Sequence, residues 1–230
     1  MACQFIKYKN RFTVLALGLL LLQACAPSRI VAPLPAGERQ LSFHVGGPLF
    51  AYEGDTMPMP LSSITYSAGL DSNNSAAVAL HTTAMVYGVL QLEGVWTHGL
   101  RRPDGNWPGL SVTPGAHAMY DRWQHQARFY PALDFNAYWH YRQQHGLFYA
   151  GFGQWYELQK RRAHNESQPR NWLPYWQLGT QYWFSQWGIN LELKHLLPHV
   201  SNRNSVVEYR GGVSHGALGL YFSLNRRFEP

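Results

Sequence analysis

The stretch LDFNAYWHYRQQHGLFYAGFGQWYEL, residues 133–158, decides the fold. Leu133, Phe135, Ala137, Trp139 and Tyr141 alternate with Asp134, Asn136, Tyr138, His140 and Arg142, the period of two expected of a strand with unlike faces. After Gln143, Gln144, His145 and Gly146 the alternation resumes. Phe148, Ala150, Phe152, Tyr156 and Leu158 fall on one side, and Tyr149, Gly151, Gly153, Trp155 and Glu157 on the other. The pattern predicts a β-hairpin. Its apolar face runs for about ten residues per strand, the length a tilted strand needs to cross a bilayer.

Composition points the same way. Charged residues are 14% of the chain, against roughly 25% in ordinary soluble domains, and aromatics reach 15%. Lys160 and Lys194 are the only lysines beyond residue 9. A soluble β-sandwich wets its outer faces with Lys, Glu and Asp. Here the polar faces carry mostly Gln, Asn, Thr, Tyr, His and Gly, which suits the lumen of a narrow barrel.

At the start of the chain, Lys7, Lys9 and Arg11 precede an apolar run from Phe12 to Leu22, followed by Gln23, Ala24 and Cys25. A basic segment, a short apolar run and small residues before a cleavage point make a secretory signal peptide, too short to span a membrane. Leu22-Gln23-Ala24-Cys25 resembles the lipobox of bacterial lipoproteins. The resemblance implies removal of residues 1–24 and lipidation of Cys25 as the first mature residue. With Ala26 rather than Asp after it, the family pattern implies an outer-membrane destination in a Gram-negative cell, anchored at Cys25. The 206 residues from Cys25 onward then contain no disulfide, because the other cysteine, Cys3, is removed. Losing Lys7, Lys9 and Arg11 takes the formal charge from +6 to +3, too small a surplus to argue for nucleic acid.

Residues 25–61 read as a lipidated tether containing Pro27, Pro33 and Pro35, then a strand-like piece from Leu41 to Phe50 and a Pro/Met-rich linker from Asp55 to Pro60. The strand-like piece fits an added strand, a plug or a periplasmic patch. Over residues 62–230 eight strands are predicted: 62–71, 76–87, 89–99, 128–143, 147–161, 172–185, 188–196 and 205–224. The expected fold is an all-β antiparallel up-and-down barrel of eight to ten strands, inserted in the membrane. Connections at Gly88, 144–146 and 186–187 are very short, while the alternate ones at 72–75, 100–127, 162–171 and 197–204 are mostly longer. Tight turns at one end and long loops at the other are the outer-membrane barrel pattern, with both termini on the tight-turn side. Leu218, Leu220, Phe222 and Leu224 lead to Phe228 and resemble the terminal aromatic strand that such barrels present to the insertion machinery, although Glu229 and Pro230 follow it.

One short motif offers chemistry. Leu197-Pro198-His199-Val200-Ser201-Asn202 resembles the His-x-Ser-Asn motif of outer-membrane lipid A deacylases and phospholipases, which are also narrow barrels. The resemblance implies Ser201 as nucleophile and His199 as the general base that takes its proton. Residues two apart on an extended chain face the same way. Asn202 or Asn204 would donate to the oxyanion. Glu208 is the candidate orienting acid, at a spacing that departs from the family's. The same stretch also reads as a polar loop with turn-forming Ser and Asn.

A second group, Glu93, Asp134, His140, Arg142, Glu192, Lys194, Glu208 and Arg210, is predicted to face the lumen. Charges inside a narrow barrel have to pair, so this group reads first as an interior held shut by ion pairs and second as a proton path or solute site. Lys160, Arg161, Arg162 and Arg170 flank one long loop, and Arg101 and Arg102 lie in another. Guanidinium groups there suit lipopolysaccharide phosphates if both loops face outward. The nine tryptophans fit aromatic girdles at the membrane interfaces. His195 and His199 are four apart, but Pro198 between them argues against a helical metal pair, so no metal and no cofactor are expected. The expected role is structural, interaction or envelope maintenance, in contact with membrane lipid. The alternatives are an acyl hydrolase on lipid A or phospholipid, and a soluble lipoprotein barrel that binds a lipid or glycan inside.

Overall fold

The computed structural model describes residues 30–52, 55–143, 145–160, 170–201 and 215–228. Among them the chain forms β1 (Arg39–Tyr52), β2 (Asp55–Pro58), β3 (Leu61–Gly69), β4 (Asn74–Leu80), a short helix α1 (Thr82–Val86), β5 (Val89–Arg101), β6 (Gly109–Asp121), β7 (Gln126–Tyr141), β8 (Gly146–Tyr156), β9 (Trp172–Phe184), β10 (Trp187–Ser201) and β11 (His215–Phe228). From β3 to β11 each strand pairs antiparallel with the next, and β1 bridges β3 and β11. The seam closes with Arg39 opposite Phe228 and Pro48 opposite Gly219. The result is a closed barrel of ten strands. β2 is an eleventh, added strand that folds back only on the last part of β1.

The two faces sort as the alternation requires. On β10, Leu191 is 47% exposed while Glu192 beside it is 1% exposed, and the same inversion of an ordinary soluble sheet repeats along the wall. Leu41, Phe43 and Val45 on β1, Trp176 and Leu178 on β9, and Leu220, Phe222 and Leu224 on β11 all point outward.

Ten barrel strands replace the predicted eight. One addition is β1, the strand-like piece that the sequence left unplaced. The other is β6, inside the stretch 100–127 that reads as a loop. Its outward positions are Leu110, Val112, Pro114, Ala116, Ala118 and Tyr120, too small and proline-interrupted in the middle to give an apolar alternation. The predicted strand 76–87 also stops at Leu80, where His81 starts the turn into α1.

An unseen strand exchanges the sides of every connection on one side of it. The end holding Arg39 and Phe228, here called the terminal end, also carries the turns at 70–73, 102–108, 142–145 and 185–186. The helix α1 and the Gly88 turn lie at the opposite, far end, with the connections after β6, β8 and β10. Gly88 is therefore not on the side of the 142–145 turn, as the eight-strand reading had it.

The proline-rich stretch expected to be a tether does not run free once Ile30 is reached. Residues 30–35 lie inside the terminal end of the barrel. Ile30, Val31 and Leu34 are buried, and the wall holds their backbone: Ser75 Oγ accepts from the Leu34 N–H at 2.7 Å, Thr97 Oγ1 donates to the Ile30 carbonyl at 3.1 Å, and Ser111 Oγ donates to the Val31 carbonyl at 2.5 Å. Gly37 and Glu38 then pair with the chain around Gly69 and lead into β1.

Candidate functional site

The interior is where polar and titratable side chains meet. Strands β7 to β10 supply its middle layer. Tyr175 donates to Asp134, Tyr149 donates to Glu192 at 2.7 Å, and Lys194 Nζ lies 3.5 Å from Glu192 and 4.5 Å from the centre of the Tyr175 ring. Gln177 donates to Asn136 at 2.5 Å, and the Asn190 amide nitrogen donates to the Tyr149 hydroxyl at 3.2 Å. Desolvating an isolated ammonium or carboxylate costs several kcal/mol, so a fully buried Lys194 and Glu192 persist because each has the other and a tyrosine beside it. The rings need room that the wall provides by omitting side chains. A Cβ at Gly179 would overlap the Tyr149 ring, and one at Gly153 would overlap Tyr175 and Asp134.

Below this layer, toward the terminal end, Val31 packs on Tyr138, Leu147 and Tyr149, while Ile30 and Leu34 pack on Ala77 and Val95. A cavity of about 420 Å³ lies against residues 30–35, lined also by Gln40, His44, His140 and Trp183. Above the layer, toward the far end, Met59, Met119, Tyr130, Trp155, Tyr175, Leu196 and Tyr221 form one buried cluster, backed by Phe50, Leu61 and Val89, beside the buried Glu157 and its partner Arg128 at 3.8 Å. At the edge of this cluster His81, Glu93 and His117 converge. His81 Nε2 is 3.1 Å and His117 Nδ1 3.8 Å from Glu93 Oε2, and the His117 ring lies 3.8 Å from that of Trp155.

Of the residues predicted to face the lumen, Glu93, Asp134, Glu192 and Lys194 are inside. His140 is exposed at the terminal mouth, where it lines the cavity. Arg142 is a correction: it occupies the 142–145 turn with φ of 49°, exposed, its guanidinium 5.8 Å from the Tyr182 ring. The alternation carries one residue too far there, because the chain has already left the strand. Glu208 and Arg210 lie outside the described residues. His117, Trp155 and Met119, like His44 and Glu157, are interior residues outside the predicted lumen group. Only the placement of β6 in register with β5, with His117 directly opposite Glu93, brings the first of them to the site.

The rim motif lies within an irregularity in β10 between Leu196 and Ser201, where Leu197 takes φ of 50°. His199 and Ser201 are both exposed, and the His199 ring stacks on Trp172 at 5.8 Å. Asn202, Asn204 and Glu208 lie outside the described residues, as do Cys25, Arg161 and Arg162. Arg170 is exposed at the far end beside β9. Arg101 and Arg102 are not its neighbours: they sit at the terminal end, Arg101 over Trp107 and Arg102 donating to the Ser72 carbonyl and the Asn73 side chain.

No protein-family model matches the sequence, and neither does any curated protein. Solved structures of similar shape are outer-membrane barrels. The translocator domain of the autotransporter NalP from Neisseria meningitidis is 12% identical, covering 85% of this chain and 90% of its own, with a TM-score of 0.45. The COG4313 outer membrane channel from Pseudomonas putida F1 is 7% identical, covering 88% and 100%, at 0.47. LpxR from Salmonella typhimurium is 9% identical, covering 87% and 86%, at 0.41.

Proposed function

We propose that this chain is a small outer-membrane β-barrel lipoprotein, lipid-anchored at Cys25, that serves a structural, interaction or envelope-maintenance role and does not conduct solutes. The observation that carries this reading is a lumen obstructed at both ends and by its paired middle layer, with a cavity of about 420 Å³ beside residues 30–35, inside a wall whose outer face is apolar. An apolar wall is stable in hydrocarbon and a liability in water. A conduit needs a continuous wet path, whereas here residues 30–35, the paired middle layer and the apolar cluster follow one another from end to end. The apolar exterior also weighs against a soluble barrel with a ligand inside. With the termini on the periplasmic side, Arg170 belongs to the outer surface, in reach of lipopolysaccharide phosphates.

Folded full-length protein in a planar lipid bilayer tests the closed lumen. A flat baseline is expected, and a steady ohmic conductance from barrels with normal heat-modifiable mobility overturns it. Replacing Cys25 with Ser is expected to abolish palmitate incorporation.

A second reading draws on His199 and Ser201, both exposed two residues apart at the far end of β10. In it, Ser201 is the nucleophile and His199 the base of an acyl hydrolase acting on lipid A or phospholipid. Cells overproducing the protein would then show deacylated lipid by mass spectrometry, and Ser201→Ala would restore the normal profile. An unaltered lipid profile with the unmutated protein removes this reading.

A further inference from the structure

We propose that His81, Glu93 and His117 form a binding site for a divalent transition-metal ion inside the far end of the barrel. The three residues come from neighbouring strands and are brought together by the ladder itself. Glu93 on β5 is directly opposite His117 on β6, and His81, just past β4, is fixed by its backbone N–H bonding to the Gln91 carbonyl at 3.0 Å. Their donor atoms all lie within 4.8 Å of one another, with His81 Nε2 and Glu93 Oε2 already at 3.1 Å. An ion held at 2.0–2.2 Å from each nitrogen and oxygen places its donors roughly 3.3 Å apart. Contraction of up to about 1.5 Å at the widest pair, within reach of side-chain rotations, completes the geometry.

Three features favour an ion there. Glu93 is 7% and His117 2% exposed, so a buried carboxylate is held where an added cation is well placed to neutralise it. The face of Trp155 against the His117 ring holds that imidazole in place before any ion arrives. Two imidazoles and one carboxylate suit zinc, copper or nickel, whereas calcium and magnesium prefer oxygen donors alone. Three protein ligands leave a coordination position for water or a small solute, as in open rather than purely structural sites.

The test uses full-length protein folded in detergent, stripped with chelator and titrated with Zn²⁺ or Ca²⁺ by calorimetry. One Zn²⁺ per barrel at low micromolar concentration and no Ca²⁺ are the expected results. His81→Ala and Glu93→Gln should each weaken Zn²⁺ binding at least about tenfold. His195→Ala, which removes a side chain bonded to the His215 carbonyl elsewhere on the wall, should leave it unchanged. His81 is the partly exposed member of the trio, and unchanged heat-modifiable mobility shows that its variant is folded. Failure of the unmutated protein to bind Zn²⁺, or equal binding by a folded His81→Ala variant, overturns the proposal. Zn K-edge absorption showing sulfur ligands, or no imidazole, overturns it as well.

Discussion

The two ends of the lumen are stopped in different ways. At the terminal end the stopper is a peptide, residues 30–35, whose carbonyls and N–H meet Ser75, Thr97 and Ser111 and whose apolar side chains fill small gaps. At the far end the stopper is built from the wall: Met119, Tyr130, Trp155, Tyr175 and Tyr221 are strand residues, joined by Met59 from the return of the β1–β2 hairpin. A wall-borne stopper can be lost only by damaging the barrel. A peptide stopper lies outside the strand ladder, so weakening its hold need not unpair any strand, and it is expected to open at a lower free energy than the wall.

The largest effect should come from the far end. Trp155→Ala removes a side chain 2% exposed and in contact with both Tyr130 and His117, and should lower the unfolding free energy by about 3–5 kcal/mol. Urea unfolding of the barrel in lipid vesicles measures it. Next comes the middle layer. Gly179→Ala pushes a methyl into the Tyr149 side chain and should cost about 1–3 kcal/mol, with Tyr149→Phe in the same chain giving only partial relief because the ring carbon Cζ is as close as the hydroxyl. The terminal stopper should respond differently. Ser111→Ala removes one hydrogen bond, worth about 1 kcal/mol, and should speed amide exchange in residues 30–37 while leaving the global unfolding midpoint almost unmoved. If the midpoint falls as far as for Trp155→Ala, the two ends do not differ in kind.

The smallest effect belongs to a turn at the terminal end. The Asn73 N–H, then the Asn74 side-chain amide, bond the Asp71 carboxylate and hold it below the usual carboxylate range. Its contribution is therefore present above the ordinary carboxylate pKa and is lost as the pH falls through the lowered folded value. Asp71→Ala should abolish that slight acid sensitivity in an unfolding titration, lowering stability slightly at neutral pH and leaving it unchanged in acid, where the native carboxyl is already protonated.

Much of this architecture was legible from residues 133–158, because a membrane wall must state its two faces residue by residue. Where outward side chains shrink, the statement fades, and β6 with Pro114, Ala116 and Ala118 passed for a loop. Losing it also misplaced the Gly88 turn and hid His117 from Glu93, since adjacency in a barrel is known only once every strand is counted. The apolar filling of the far lumen was hidden for another reason. Trp155 and Met119 sit on the inward side of their strands, where alternation indicates only that the face differs from the outside, not that it is wet. Interior pairing of Lys194 with Glu192 was the easier inference, because a buried charge demands a partner. The fate of Ile30 to Leu34 could not be read, since a proline-rich run looks the same free or held by its backbone.

The empty places opposite Tyr149 and Tyr175 have a consequence for how this chain can change over generations. An outward position asks only for membership of a class, so Leu, Ile, Val and Phe are near synonyms there and substitutions accumulate quietly. An inward glycine has no synonym: the fit between Gly179 and its ring is a two-part word, and altering either letter spoils it. Drift should therefore write itself on the outer face, and ancestry should be sought in the spacing of these inward pairs.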